Sequence, residues 1–126
     1  MAATGLNNLA ALYRDQGKYI EAEPLYKRSL AIMENALGAE HPMVATGLNN
    51  LAEVYRAQGK YIEAEPLYKS SLAILEKALG PEHPDVATGL ENYAVLLRKI
   101  DRATEAERLV ARAQKIRAKL AARSPM

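Results

Sequence analysis

The chain is 126 residues long, 49% hydrophobic and 25% charged, a balance that gives room for one modest core. It contains no cysteine, which excludes a disulfide framework and a thiolate metal site, and no apolar run approaches the roughly 18 residues of a membrane span. The formal net charge of +2 is unevenly spread: residues 1–43 carry −1, residues 44–85 carry −2 and residues 86–126 carry +5.

Shifted by 42 residues, the sequence falls on itself, with 34 of 42 positions identical between residues 4–45 and 46–87. A fixed period of this size signals a stacked repeat architecture. The pattern starts directly after Met1, without the basic and apolar regions of a signal peptide, so a cytoplasmic location is the default expectation. In the first repeat Gly17 and Gly38 mark the ends of two helices, and Ala39-Glu40-His41-Pro42 is the turn that follows. In the second, Leu48, Leu51, Ala52 and Tyr55 fall at i, i+3, i+4, i+7, one stripe of a helix. Gly59 suits the left-handed residue that ends it. Ala64, Leu67, Tyr68, Ser71, Leu72, Leu75 and Leu79 form a second stripe, closed by Gly80 and the turn Pro81-Glu82-His83-Pro84. Asp85 then complements the dipole at the start of the next helix.

Two residue types look out of place. Gly47, inside a helix at a cost of roughly 1 kcal/mol relative to Ala, recurs as Gly5 and Gly89, and the recurrence predicts close approach by a neighbouring helix. Pro24 and Pro66 lie about one turn into the second helices, where a slight bend or a solvated carbonyl is expected. The third repeat departs from the pattern: Asp101, Ala103, Arg108 and Val110 stand where Gly59, Tyr61, Pro66 and Tyr68 stand in the second, and the closing turn is replaced by Ala121-Ala122-Arg123-Ser124-Pro125-Met126. Atypical terminal repeats serve as caps. At the other end Ala2 and Ala3 occupy the places of Val44 and Ala45 with no cap before them, as in a fragment of a longer array. Exposed apolar groups there predict self-association through the uncapped repeat.

Neither helix of a pair can bury its stripe alone, so each pair folds back and stacks on the next. The expectation is an all-α solenoid of three antiparallel helix hairpins, over residues 1–42, 43–84 and 85–126. Leu48-x2-Leu51-Ala52-x2-Tyr55 followed by Ala64-x3-Tyr68 resembles the tetratricopeptide repeat, with Leu in place of that family's first Trp. Leu6, Leu9, Ala10, Tyr13, Ala22 and Tyr26 match it in the first repeat, and Leu90, Tyr93, Ala94, Leu97, Ala106 and Val110 in the third. The 42-residue form, with Leu-Asn-Asn-Leu-Ala, Gln-Gly-Lys-Tyr, Glu-Ala-Glu-Pro-Leu-Tyr-Lys and Leu-Gly-Pro-Glu-His-Pro, is similar to the repeats of kinesin light chains. The resemblance implies a right-handed superhelix and a non-catalytic module that binds a peptide or protein in the groove lined by its first helices.

Helical geometry locates that groove. Opposite the stripe of Leu48, Leu51, Ala52 and Tyr55 lie Thr46, Asn50, Glu53 and Ala57, with Asn49 nearby. Asn8, Asn50 and Asn92 form a ladder of amides, one per repeat, and an amide can hold a peptide backbone of any sequence; the plainer reading is solvation or a bond to a neighbouring turn. Arg14, Arg56 and Arg98 flank the ladder and could read acidic side chains, as kinesin light chains do. The carboxylate clamp of chaperone-binding relatives needs Lys and Arg where this chain has Asn and Thr. His41 and His83 precede prolines in turns and read as turn structure, with no metal site. No phosphate loop or nucleophile group occurs, so no enzyme and no cofactor are expected. A basic stripe of Arg108, Arg112, Lys115, Lys119 and Arg123 leaves nucleic acid or an anionic surface as an alternative partner, and a purely structural array as another.

Overall fold

The computed structural model describes residues 2–123; Ser124-Pro125-Met126, where the repeat's closing turn is replaced, lie outside the described residues. Six helices follow in chain order: α1 (Ala2–Asp15), α2 (Tyr19–Leu37), α3 (Pro42–Ala57), α4 (Tyr61–Leu79), α5 (Pro84–Lys99) and α6 (Ala103–Arg123). Each packs against its chain neighbours, most closely within the pairs α1/α2, α3/α4 and α5/α6. These are three antiparallel hairpins stacked as an all-α solenoid.

The turns inside the hairpins follow from single residues. Gly17 and Gly59 adopt φ 74° and 77°. That left-handed step lets Lys18 and Lys60 donate back to the Tyr13 and Tyr55 carbonyls at 2.8 Å, tying off the last turns of α1 and α3. Asp101 takes the same place with φ 60°, and Arg102 donates to the Leu97 carbonyl at 2.9 Å, so the turn survives without its glycine. Aspartate tolerates this region better than most side chains. Between hairpins, His41 and His83 cap α3 and α5: their Nδ1 atoms accept from the Met43 and Asp85 backbone N–H groups at 3.0 Å. Pro42 and Pro84 follow at the first helical position, where no N–H is missed.

Burial is built from small residues at helix crossings and large ones between them. Within the first two hairpins Ser29 and Ser71 are buried and donate to the Ala3 and Ala45 carbonyls at 2.8 and 2.7 Å, so neither hydroxyl is left unpaired. Two apolar clusters result. One runs from Ala3 through Tyr26, Leu30 and Met33 to Val54; the other runs from Ala45 through Tyr68, Leu72 and Leu90 to Ile116. Tyr68 and Tyr93 stack with centroids 6.1 Å apart, joining the second hairpin to the third. Pro24 and Pro66 sit inside α2 and α4. Among the described residues no helix is long and apolar enough to cross a membrane.

Glycine makes the hairpin-to-hairpin contact possible at two of its three positions. A Cβ on Gly47 would lie 2.9 Å from Met33 Cε and 3.1 Å from Leu30 Cδ1, and one on Gly89 would lie 2.9 Å from Leu72 Cδ2. A Cβ on Gly5 would meet nothing within 4 Å. Gly5→Ala is therefore expected to stabilise the fold by about 0.5–1 kcal/mol through helix propensity alone. Gly47→Ala gains the same propensity and loses it to overpacking, so it should fall about 1 kcal/mol short of Gly5→Ala. Urea unfolding of the two variants measures the difference; equal values would mean that α2 and α3 are not in close contact.

Candidate functional site

Two clefts of the same construction open between successive first helices. The one between α3 and α5 holds about 200 Å³ and is lined by Thr46 and Asn49 on one side and Asp85, Thr88 and Asn92 on the other, with Ser71 and Leu75 at the floor. Its counterpart between α1 and α3 holds about 170 Å³ and is lined by Thr4, Asn7, Met33, Met43 and Thr46. Gly89 lines the one and Gly47 the other. The two differ in character where the repeats differ in sequence: Met43 occupies the rim of the first, Asp85 that of the second.

The amides at the rims pair across the hairpins. Asn50 Nδ2 donates to Asn7 Oδ1 at 3.5 Å, and Asn92 Nδ2 donates to Asn49 Oδ1 at 3.3 Å. Asn49 also donates to Glu53 at 3.2 Å, and Thr46 donates to the Pro42 carbonyl at 3.4 Å. An amide has two donors and an acceptor with two lone pairs, so Asn50 and Asn92 each keep one N–H and their carbonyl for another group. Asn8 is exposed. Thr46, Asn49 and Asn92 thus meet at one cleft, and Asn50 stands beside Asn7 at the edge of the other. Asp85, which the sequence assigns only to the helix dipole, is a cleft residue; its signal was its replacement of Met43 in an otherwise near-identical repeat.

The three arginines do not converge. Arg14 lies 3.2 Å from Asp15 and 3.9 Å from Glu53. Arg56 donates to the Tyr68 hydroxyl at 3.2 Å, and Arg98 is exposed. Repeat identity explains the contrast between the first two. Ala57 stands where the first repeat has Asp15, so nothing draws Arg56 away from Tyr68. Asp15 does draw Arg14, and the Tyr26 hydroxyl is the one buried side-chain polar atom without a partner among the described residues. Burial pushes the Tyr26 phenol upward, with the Arg14 charge opposing it.

The basic side chains of α6 are largely spoken for. Arg112 pairs with Glu76 at 2.8 Å, Lys119 and Arg123 with Glu82 at 2.7 and 3.3 Å, and Arg117 with Glu91 at 2.7 Å; in the turn before the helix Arg102 pairs with Glu65 at 2.8 Å. Of the stripe legible in the sequence, Arg108 and Lys115 have no such partner among the described residues, and the acids that neutralise the rest lie a repeat away. Glu65 is the most involved of these acids. Burial raises its carboxyl, but hydrogen bonds from Tyr93 and Arg102, with the Arg102 and Lys69 charges, bring it below the ordinary carboxylate range. Among the described residues no three His, Asp or Glu side chains gather as a metal site.

A sequence model described as tetratricopeptide repeat matches residues 1–76 and again residues 44–119. The crystal structure of BtubC (BKLC) from P. vanneervenii is similar with a TM-score of 0.88 at 26% identity, over 98% of this chain and 50% of that one. The nearly identical TPR-like repeats of a candidate kinesin light chain from Podosopora anserina are similar with a TM-score of 0.83 at 30% identity, over 93% of this chain and 56% of that one. The chain therefore spans about half the length of these relatives. No curated protein matches it.

Two measurements test the electrostatics. Asp15→Ala frees Arg14 to reach Tyr26 as Arg56 reaches Tyr68, and is expected to raise stability by about 0.5–1 kcal/mol; a loss would mean that the Asp15 pair outweighs the orphaned hydroxyl. The lowered Glu65 carboxyl contributes stability that is fully present above the unfolded-state value near 4.3 and is lost as pH falls through the folded value. Urea midpoints followed downward from pH 6 should drop, and Glu65→Gln should flatten that drop while costing about 1 kcal/mol at pH 7.

Proposed function

The chain belongs to the tetratricopeptide repeat family, and from that premise we propose that it is a non-catalytic interaction module holding an extended peptide across the clefts between α1, α3 and α5. The observation that carries this reading is the pair of like clefts one repeat apart, each rimmed by an amide with unused hydrogen-bonding capacity. Packed helices sit about 8–10 Å apart. A polyproline-type segment advances about 9 Å in three residues, with side chains i and i+3 on one side. Such a segment places successive anchoring side chains in successive clefts while Asn50 and Asn92 hold its backbone.

The linings set the preference. Met33 and Met43 give the first cleft a soft apolar wall suited to an aliphatic or aromatic side chain. Ser71 and Asp85 give the second an acceptor, which favours a hydroxyl, amide or cationic side chain. Acidic peptides are less well served, because Arg14 and Arg56 are held by Asp15, Glu53 and Tyr68; Arg98 alone extends to meet them. Nucleic acid is not a partner in this reading, since intramolecular acids neutralise most of the α6 cations.

An unbiased peptide-display screen tests the proposal. The expected motif has an apolar residue three positions from a polar or basic one. Asp85→Met should make the second position apolar as well. Asn50→Ala should weaken binding by roughly 0.5–1.5 kcal/mol, with stability changed by about 0.5 kcal/mol or less. An absence of any enriched motif would favour a purely structural array. Loss of stability in Asn50→Ala with binding per folded molecule unchanged would make the amide pairs structural.

A further inference from the structure

The oxygens of the cleft between α3 and α5 are strung along it. One end is the amide pair of Asn49 and Asn92. Thr46 and Thr88 stand on opposite walls, and Asp85 lies at the other end, in the first turn of α5. Asn92 and Asp85 are seven residues apart on one helix, about 10 Å along its axis. Between them the lining is apolar and buried, from Ala45, Leu75 and Gly89.

Every hydroxyl of this cleft has its proton committed. Thr46 and Thr88 donate to the Pro42 and Pro84 carbonyls one turn back, at 3.4 and 3.3 Å, and Ser71 donates to the Ala45 carbonyl at 2.7 Å. What remains for a ligand is lone pairs. The Asp85 carboxylate is open as well. Glu76, Glu82 and Glu91 each hold a cation of α6, but Asp85 meets only His83, at 3.8 Å. That Nδ1 already accepts from the Asp85 backbone N–H at 3.0 Å, so it has no proton to give the carboxylate. Arg117 donates to Thr88 at 3.1 Å, and Glu91 neutralises it at 2.7 Å.

We infer that this cleft seats a lysine side chain of the bound peptide, with the peptide backbone held at Asn92 and the ammonium at Asp85. The inference rests on the peptide-binding reading of the clefts and narrows it to one residue type at one of them. A carboxylate is refused, because acceptors line the walls. A serine, threonine or asparagine side chain on a backbone held at Asn92 stops short of Asp85, whereas a four-carbon stem with the aspartate's own reach covers the distance. The methylenes lie against Leu75 and Gly89. A guanidinium is long enough, but its donors lie in one plane, and the acceptors stand on three helices, α3, α4 and α5. The three N–H bonds of an ammonium diverge to meet them. The first cleft is an internal control. It has the equivalent amide pair, Asn7 and Asn50, but Met43 where the second has Asp85, so it offers a lysine no counter-charge.

Fluorescence anisotropy with short labelled peptides is the test. Each peptide is N-acetylated and C-amidated, which removes the terminal charges. Leucine is fixed at one position in a mixed background, and lysine, arginine, norleucine, glutamine or glutamate is placed three residues away on either side. The lysine peptide is expected to bind about five- to tenfold more tightly than the norleucine peptide, which has an uncharged stem. Arginine should fall below lysine, glutamate should bind least well, and added salt should shrink the advantage of lysine. Asp85→Asn should bring the lysine-to-norleucine ratio close to one. Met43→Asp, a gain at the equivalent exposed position of α3, should favour a peptide with lysine at both positions by about the same factor. Peptides that bind with lysine no better than norleucine, or with arginine equal to lysine, would overturn the lysine seat and leave the groove standing. A lysine preference that survives Asp85→Asn would do the same. No binding by any of the peptides would remove the groove and the seat together.

Discussion

The fold rests on one contact repeated along the stack: an aliphatic side chain of a second helix pressed onto a glycine of the next first helix. At Gly47 and Gly89 the missing Cβ lets Met33, Leu30 and Leu72 approach to distances that any other residue would forbid. A glycine costs a helix roughly 1 kcal/mol, and a hairpin of 35 to 40 residues buries too little surface to fold unaided. The contact answers both difficulties at once, because it turns three marginal hairpins into one continuous wall. The same glycine, Gly89, lines the cleft between Thr46 and Thr88.

The first and last helices, α1 and α6, present different outer faces. At α6 the aliphatic positions give way to Gln114 and Arg117, and the helix is laced to the rest of the stack by ion pairs to Glu76, Glu82 and Glu91. Each exposed pair contributes little alone; together they fix the orientation of the last helix. On α1 Leu9 and Leu12 are about half exposed, whereas their counterparts one repeat later, Leu51 and Val54, are buried.

Much of this was legible in the sequence, and the limits of that legibility are physical. The period of 42, the glycines at 17, 38, 59 and 80 and the stripes through Leu51 and Leu72 are local or repeated signals, and they define the six helices and the three hairpins. Repetition also exposed Gly47 as a packing residue, since a costly residue kept in register implies a shared reason. The histidines were placed in turns, but their role as caps depends on an Nδ1 geometry that composition does not encode. The clefts were less legible still. Asn50 and Asn49 were seen as separate groove residues, whereas their partners, Asn7 and Asn92, come from adjacent hairpins 43 positions away. Likewise the basic stripe of α6 looked unopposed because its acids lie 36 to 41 residues upstream. One-dimensional patterning reads faces well and reads pairing between faces poorly.

The division of the core into two clusters has a thermodynamic corollary. One cluster belongs mainly to α1, α2 and α3, the other to α3 through α6, and they share only half-buried side chains such as Tyr55, Leu67 and Ile74. Stacked arrays of this kind behave as linked local units, each able to open while its neighbour stays closed. The cleft with Met33 draws its wall from the first cluster, the cleft with Leu75 from the second. A ligand that occupies both is therefore a mechanical tie between them, and its arrival would be felt as cooperativity: amides of α1 and α2 would come to exchange at the slower pace of α4 and α5, whatever the chemistry of the segment that binds.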